Sequence, residues 1–446
     1  MKQYNEQDVL KAIVGSYQPG FLQIKLTHSF DGGLGRFSQK DLGTFLHEYV
    51  HFLQNISTPW GLYMSMVQYQ TLANTYAYIQ GASQEIELPL QIRTAELNRK
   101  WSIINFGSGY YPFLKKDKYL CRKIDRSKDI VVHRTKEQIG SNQFPKITLD
   151  ISFQDGTMRS IELGAIIINE SMAAMYQMMV DPTATHENND LPYNLVQILC
   201  EKKFPNIAGD RRKLISICYI SLFSMSPAEV LFDQLDYANR HPSVSGEVLF
   251  FEFATNSKIK SSDGVTVGVD LFMDRLINMF KELLKKILDV ELDYIEYVLE
   301  QVRVSKHMIP LLSVIHQEEL TPALFESMVN VLGIPFTYNE DGQLFLPKSI
   351  KDPTKDSEDV MRLIQHGALF KHITSPNHFY CCPLKPLCIK SVPPIEKDEC
   401  FDFPWEGKEC PITPLTDYIG MKGKLFKWNY NTGRHSCLCL LRSWGS

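Results

Sequence analysis

The sequence has no apolar stretch long enough to cross a bilayer. The run 214–225 is well short of the roughly 20 residues that a span needs and fits a buried helix. Its opening residues, Met1-Lys2-Gln3-Tyr4-Asn5-Glu6-Gln7-Asp8, are polar and lack the apolar centre of a secretory signal. Charge of one sign is also missing. Lys and Arg number 47 against 51 Asp and Glu, a net charge of −4. No global basic field exists to gather nucleic acid or an anionic membrane. There is no internal repeat, no low-complexity tract and no C-x-x-C pair. These absences place the chain in the cytoplasm and point to protein or peptide partners. What is present is ordinary for a globular protein: 446 residues, 44% hydrophobic and 22% charged, enough for two or three domains.

The ten cysteines are unevenly spread. Cys121, Cys200 and Cys218 stand alone, and seven lie after residue 380. In a reducing compartment, clustered cysteines point to metal rather than to disulfides. The cluster sits in Pro-rich, poorly periodic sequence, and small segments of that kind often need a staple. Its spacings predict a structural metal site drawn from Cys382, Cys388, Cys400 and Cys410; the competing reading is a set of buried thiols.

Residues 20–28 (GFLQIKLTH) alternate apolar and polar side chains and predict a strand. Ser38 then opens a helix, with Asp41 as its capping partner, that runs along Leu42, Phe45, Leu46, Tyr49, Val50, Leu53 and Ile56 until Ser57-Thr58-Pro59. A second helix is expected over 61–80, closed by Gly81. Residues 82–160 are less regular, with a hairpin of 146–153 and 157–163 around Asp155-Gly156. Helices follow over 164–179, 191–203 and 211–225. A further one begins at Ser226-Pro227, with Glu229 completing a capping box. Residues 270–304 read as long amphipathic helix, in one or two segments. A hairpin around Asp341-Gly342 and a charged linker at 351–358 precede the Cys-rich end.

His47-Glu48-Tyr49-Val50-His51 is an H-E-x-x-H pattern in the middle of the first helix. Residues four apart share a helix face, so both imidazoles can reach one ion at about 2 Å. Glu48 lies beside that ion without ligating it. It can take a proton from a bound water and pass it to a leaving amine. Without a metal, two polar rings and a carboxylate would sit on a largely apolar helix at considerable cost. A third protein ligand is needed. The continuation with a third histidine fails, because Gln54 and Ser57 stand where Gly and His are required. Glu170, in the otherwise apolar Ile166-Ile167-Ile168-Asn169-Glu170-Ser171-Met172-Ala173-Ala174, is the best candidate, because small neighbours let that helix pack closely. Glu162, Asp181 and His186 compete with it. A tetrahedral intermediate also needs an oxyanion donor, for which Tyr176, His186, Tyr193 and His28 are available. Sequons occur at Asn55 and Asn169; both touch these two helices, where a glycan would not fit.

HEYVH followed by NESMA resembles the gluzincin group of zincin metallopeptidases, in which a second helix supplies a glutamate ligand. The resemblance implies that His47, His51 and Glu170 hold Zn2+ and that Glu48 is catalytic. It also implies that a strand such as 20–28 holds substrate by strand addition. The expected fold is α+β and predominantly helical. It comprises a zincin-like metallopeptidase core over 1–240, a helical extension over 241–350 and a Cys/Pro-rich accessory domain over 351–446. The expected function is zinc-dependent hydrolysis of peptide bonds in an intracellular protein, with residues 240–446 as the surface for a regulatory partner. The rival readings are a regulatory or binding protein that keeps a zincin fold around a non-catalytic metal, and hydrolysis of a non-peptide bond.

Overall fold

The computed structural model describes residues 15–20, 22–27, 37–83, 85–90, 94–110, 123–140, 142–184, 190–260, 264–305, 320–339, 343–374, 384, 388, 410–421 and 423–428. The protein is mixed α and β and predominantly helical, with four small sheets among the described residues.

Two neighbouring helices organise the interior. Helix α1 (Gln39–Ser57) carries the H-E-x-x-H residues and α2 (Pro59–Gly81) follows after Thr58 alone. Ser38 caps α1 as its sequence predicts: Ser38 Oγ accepts the Asp41 amide at 3.2 Å and donates to the Asp41 carboxylate at 2.6 Å. Thr58 ends α1 in an extended conformation and caps α2, its hydroxyl accepting from the Gly61 amide. Helix α2 therefore starts two residues earlier than expected, since Pro59 at the first helical position loses no hydrogen bond there.

The strand expected over 20–28 is β2 (Gln23–Leu26), with β1 (Gly15–Gln18) as its antiparallel partner. On its other side β2 pairs in parallel with β9 (Phe336–Asn339), which turns back to β10 (Leu344–Phe345). The order is β1-β2-β9-β10, so β2 is an interior strand with both edges paired. It therefore cannot receive an added strand; among the described residues the outer strands of this sheet are β1 and β10. Helix α1 packs against β1 and β2, and Ile24 and Leu26 are fully buried.

The hairpin around Asp155-Gly156 forms as β5 (Asn142–Ser152) and β6 (Met158–Glu162). An unanticipated β4 (Val131–Ile139) pairs with β5. Its nine residues are exposed on both faces apart from partial cover, so they carry no alternating pattern to read. Strand β3 (Glu85–Leu88) pairs in parallel with β11 (Leu425–Trp428), and β7 (Lys258–Lys260) with β8 (Thr266–Gly268).

Helix α3 (Ala95–Ser108) precedes the meander and α4 (Ala165–Val180) follows it. Next come α5 (Leu195–Lys203), α6 (Arg211–Ser221), α7 (Pro227–Arg240) and α8 (Gly246–Asn256). The capping box expected at Ser226 does not form. The Ser226 side chain makes no cap bond, and its amide instead donates to Ser224 Oγ. The long amphipathic stretch divides into α9 (Val269–Leu288), packed on α2, and α10 (Tyr294–Val304), with Asp289 left-handed between them. Helices α11 (Pro322–Leu332), α12 (Glu358–Thr374) and α13 (Thr413–Tyr418) complete the set. Among the described residues, no helix is long and apolar enough to cross a membrane.

Candidate metal centre

Helices α1 and α4 run antiparallel in close contact. Gln39 on α1 donates to the Val180 carbonyl at the far end of α4 (2.7 Å), and Gln54 donates to the Asn169 carbonyl at the near end (3.1 Å). Close approach is needed between these anchors, and Gly43 permits it: a Cβ there would lie 2.9 Å from Asp181 Cβ and 3.4 Å from Gln177 Cγ. The small residues Ser171, Ala173 and Ala174 on α4 are fully buried.

Between the anchors, three ligating atoms converge. His47 Nε2 lies 3.2 Å from Glu170 Oε2, His51 Nε2 3.6 Å from the same oxygen, and the two Nε2 atoms are 3.2 Å apart. Four ligands at 2.0–2.1 Å around a tetrahedral ion are about 3.3–3.4 Å from one another, a consequence of the bond lengths that zinc adopts with N and O. The observed triangle matches that edge. A calcium-sized site, with oxygen ligands at 2.3–2.6 Å, would need a wider set and no imidazole. The side chains are 10% (His47), 14% (His51) and 27% (Glu170) exposed, so the group is sunk in the fold but reachable from outside on the Glu170 side.

The hydrogen bonds around His51 add a chemical constraint. Gln54 Nε2 donates to a carbonyl, so Gln54 Oε1 is the atom turned to His51 Nδ1, at 2.8 Å. An amide oxygen only accepts, so Nδ1 carries the proton and neutral His51 presents the lone pair of Nε2 to the centre. Two imidazole nitrogens at 3.2 Å and a carboxylate oxygen cannot all be acceptors without a cation among them, either a proton or a metal ion. The electrostatics agree. Burial opposes charge on His51, but the adjacent Glu170 carboxylate outweighs it and raises the His51 pKa to about 9. Burial likewise pushes Glu170 up, yet His51 and His47 beside it hold its carboxyl well below the usual carboxylate range.

Glu48 lies alongside and is 6% exposed. Burial raises its pKa; His47 and His51 pull it down, Glu170 pushes it up and the Tyr17 amide, donating to it, pulls it down, with a net upward shift. Its neighbour across the gap is Gly15 of β1, whose missing side chain makes the room: a Cβ there would be 2.9 Å from Glu48 Cγ and 3.0 Å from Oε1. Strand β1 thus runs directly alongside the candidate base. Asn55 fixes this strand to α1, accepting from Tyr17 Oη at 2.8 Å and the Gly20 amide at 3.3 Å while donating to Ser65 Oγ at 2.7 Å. Asn55 is 5% exposed, which fits the expectation that it carries no glycan.

Two of the competing ligands lie elsewhere. Glu162 pairs with Lys146 at 2.6 Å on the meander. Asp181 ends α4, its carboxylate holding the Thr183 amide and hydroxyl. His186 lies outside the described residues, as does His28. Of the oxyanion candidates, Tyr176 is buried in the core on α4, away from the cluster. Tyr193 sets its ring edge-on to His47 with centroids 5.9 Å apart, in a turn that Ser171 ties to α4 by donating to the Pro192 carbonyl at 2.9 Å. Sequence reasoning missed two participants: Gly15, which carries no chemistry of its own, and Gln54, which the sequence shows only as a failed third-histidine motif. The signal for Gln54 was its position three residues after His51 on the same face.

Among the described residues, His47, His51 and Glu170 are the one group of three or more such side chains able to hold a metal ion. For the cysteine site, Cys388 is buried and Cys410 half-buried, while Cys382 and Cys400 lie outside the described residues. No protein-family model, no curated protein and no solved structure matches the chain.

Proposed function

We propose that the protein is a zinc-dependent peptidase whose centre is His47, His51 and Glu170, with Glu48 as general base and then general acid. The observation that carries the reading is the conjunction of a zinc-sized ligand triangle with a buried carboxylate directly beside it. A metal used only for structure requires no base, whereas hydrolysis does. The donor set of two imidazoles and one carboxylate favours zinc, and among the described residues no fourth ligand joins it, as in catalytic rather than structural sites. When bound there, zinc would lower the pKa of a coordinated water and polarise the scissile carbonyl.

The chain's own residues supply the rest. Gln54 orients His51. Glu48, buried directly beside the ligating atoms, is placed to accept a proton from water and release it to a leaving amine. Among the described residues no strand pairs with the outer edge of β1, next to Glu48, and an extended peptide can add there as a further strand; a non-peptide substrate would gain nothing from such an edge. Tyr193, its ring edge-on to His47, is the candidate donor to the developing oxyanion.

Glu48→Gln tests the reading. The amide is nearly isosteric, so zinc content and fold are retained. Peptide cleavage falls by at least the roughly 10²–10⁴-fold that a general base contributes. Appearance of new protein N-termini in cells expressing the wild type but not Glu48→Gln is the direct readout. If the two proteins generate the same N-termini and the same cellular effects, peptide hydrolysis is not the function, and a regulatory protein built around a bound metal replaces this reading.

A further inference from the structure

We infer that Gln54 is a positioning residue that sets the tautomer and orientation of His51, its own amide being oriented by the α4 backbone; this rests on the metal reading above. Three observations carry it. Gln54 is 3% exposed, too deep to be a solvated surface amide. Both ends of its amide are used: Oε1 faces His51 Nδ1 at 2.8 Å and Nε2 donates to the Asn169 carbonyl at 3.1 Å. That carbonyl belongs to the residue immediately before Glu170, so one side chain touches one ligand directly and the backbone beside another.

The consequence for binding is specific. An imidazole can present either nitrogen, and a neutral His51 free to choose would lose part of its population to the tautomer whose Nε2 carries the proton and cannot ligate. Oε1 of Gln54 accepts from Nδ1–H and removes that alternative. The Asn169 contact does the same for Gln54 itself, because flipping the amide would set its NH2 against the His51 N–H and its oxygen against a carbonyl. The order of constraint therefore runs from the α4 backbone through Gln54 to His51 Nε2. Partners of this kind, which hold a ligating histidine from behind, are typically worth 10–100-fold in metal affinity.

The test uses the full chain and three variants, with Zn2+ affinity read by competition against a chromophoric chelator. The ligand-field absorption of Co2+ in place of zinc serves as a second signature. Gln54→Leu keeps the volume and removes both contacts; it is expected to weaken Zn2+ binding by 10–100-fold and to broaden or diminish the Co2+ bands. Gln54→Glu keeps an acceptor toward His51 but cannot donate to Asn169. It is expected to bind Zn2+ at least as tightly as wild type and to keep the Co2+ bands. A role confined to joining the helices would make Gln54→Glu bind Zn2+ at least tenfold more weakly than wild type, which would overturn the inference even if Gln54→Leu fails to fold. Unchanged affinity in Gln54→Leu would also overturn it. The third variant, His47→Ala/His51→Ala, separates the two levels of failure. If it loses Zn2+ while Gln54→Leu does not, the clamp alone is wrong. If it retains Zn2+, the metal reading falls and the clamp with it.

Discussion

At the scale of single residues, the site depends on one side chain that is present and one that is absent. Glu48 has its chemistry in its carboxylate; Gly15 contributes by lacking a Cβ. The Cβ of an alanine at 15 would lie 2.9 Å from Glu48 Cγ, closer than real Cβ contacts allow, and a tight 3.2 Å from Thr44 Cγ2. Either β1 retreats or the Glu48 carboxylate is displaced from its place beside the ligands. Gly15→Ala should therefore cut peptide hydrolysis by about tenfold or more while leaving bound zinc near wild type, since a misplacement near 1 Å is enough for losses of that size. Steady-state kinetics with metal analysis on the same preparation checks this; wild-type kcat with full zinc would show that the approach of β1 to Glu48 is immaterial.

At the scale of elements, the pairing of α1 with α4 brings Glu170, rather than Glu162 or Asp181, to the two histidines. Glu170→Ala should weaken zinc retention during dialysis far more than Glu162→Ala or Asp181→Ala. Glu162 is held by Lys146, and Asp181 caps its own helix end by holding Thr183. Equal retention by all three would mean that α4 does not supply the ligand. A second helix pair, α2 with α12, makes a different prediction. His366 is fully buried, with Nδ1 2.7 Å from Tyr76 Oη. Burial, and secondarily Arg362, lowers its pKa from about 6.5 to about 3. Between those values the unfolded chain binds a proton that the folded chain does not. Stability from this group is therefore fully present above about pH 6.5 and is lost progressively as pH falls toward 3. His366→Asn, whose amide can still meet Tyr76, should flatten that decline. Denaturant midpoints measured from pH 7 to pH 4 decide it, and parallel profiles for the two proteins would refute it.

At the scale of the whole molecule, a metal that bridges α1 and α4 binds the folded state only, so it must raise global stability by mass action. Zinc at about 100 times its dissociation constant stabilises by roughly 2.7 kcal/mol. Removing it with a chelator should lower the thermal midpoint by several degrees, restored by added zinc, whereas His47→Ala/His51→Ala should show no such response. Identical midpoints for wild type with and without chelator would contradict a site spanning the two helices.

Much of this was legible along the chain because local geometry obeys a fixed repeat. The Ser38 cap, the extent of α1 and the shared face of His47 and His51 follow from 3.6 residues per turn and need no knowledge of the rest of the fold. The same holds for the hairpin at Asp155-Gly156, whereas the sequence left open whether 270–304 is one helix or the two that form, α9 and α10. Tertiary structure alone decided the remainder. Which of Glu170, Glu162 and Asp181 meets the histidines depends on the close antiparallel packing of α1 and α4, set by Gly43 and by amide anchors well over a hundred residues apart in sequence. Strand 20–28 reads as a strand, but its place inside the sheet was set by β9, more than three hundred residues away. An edge is a property of neighbours, and a short strand carries no mark of who its neighbours are. For the same reason Gln54 reads as nothing in particular in the sequence: its role is defined by what lies at the two ends of its amide, and one of those ends is on another helix.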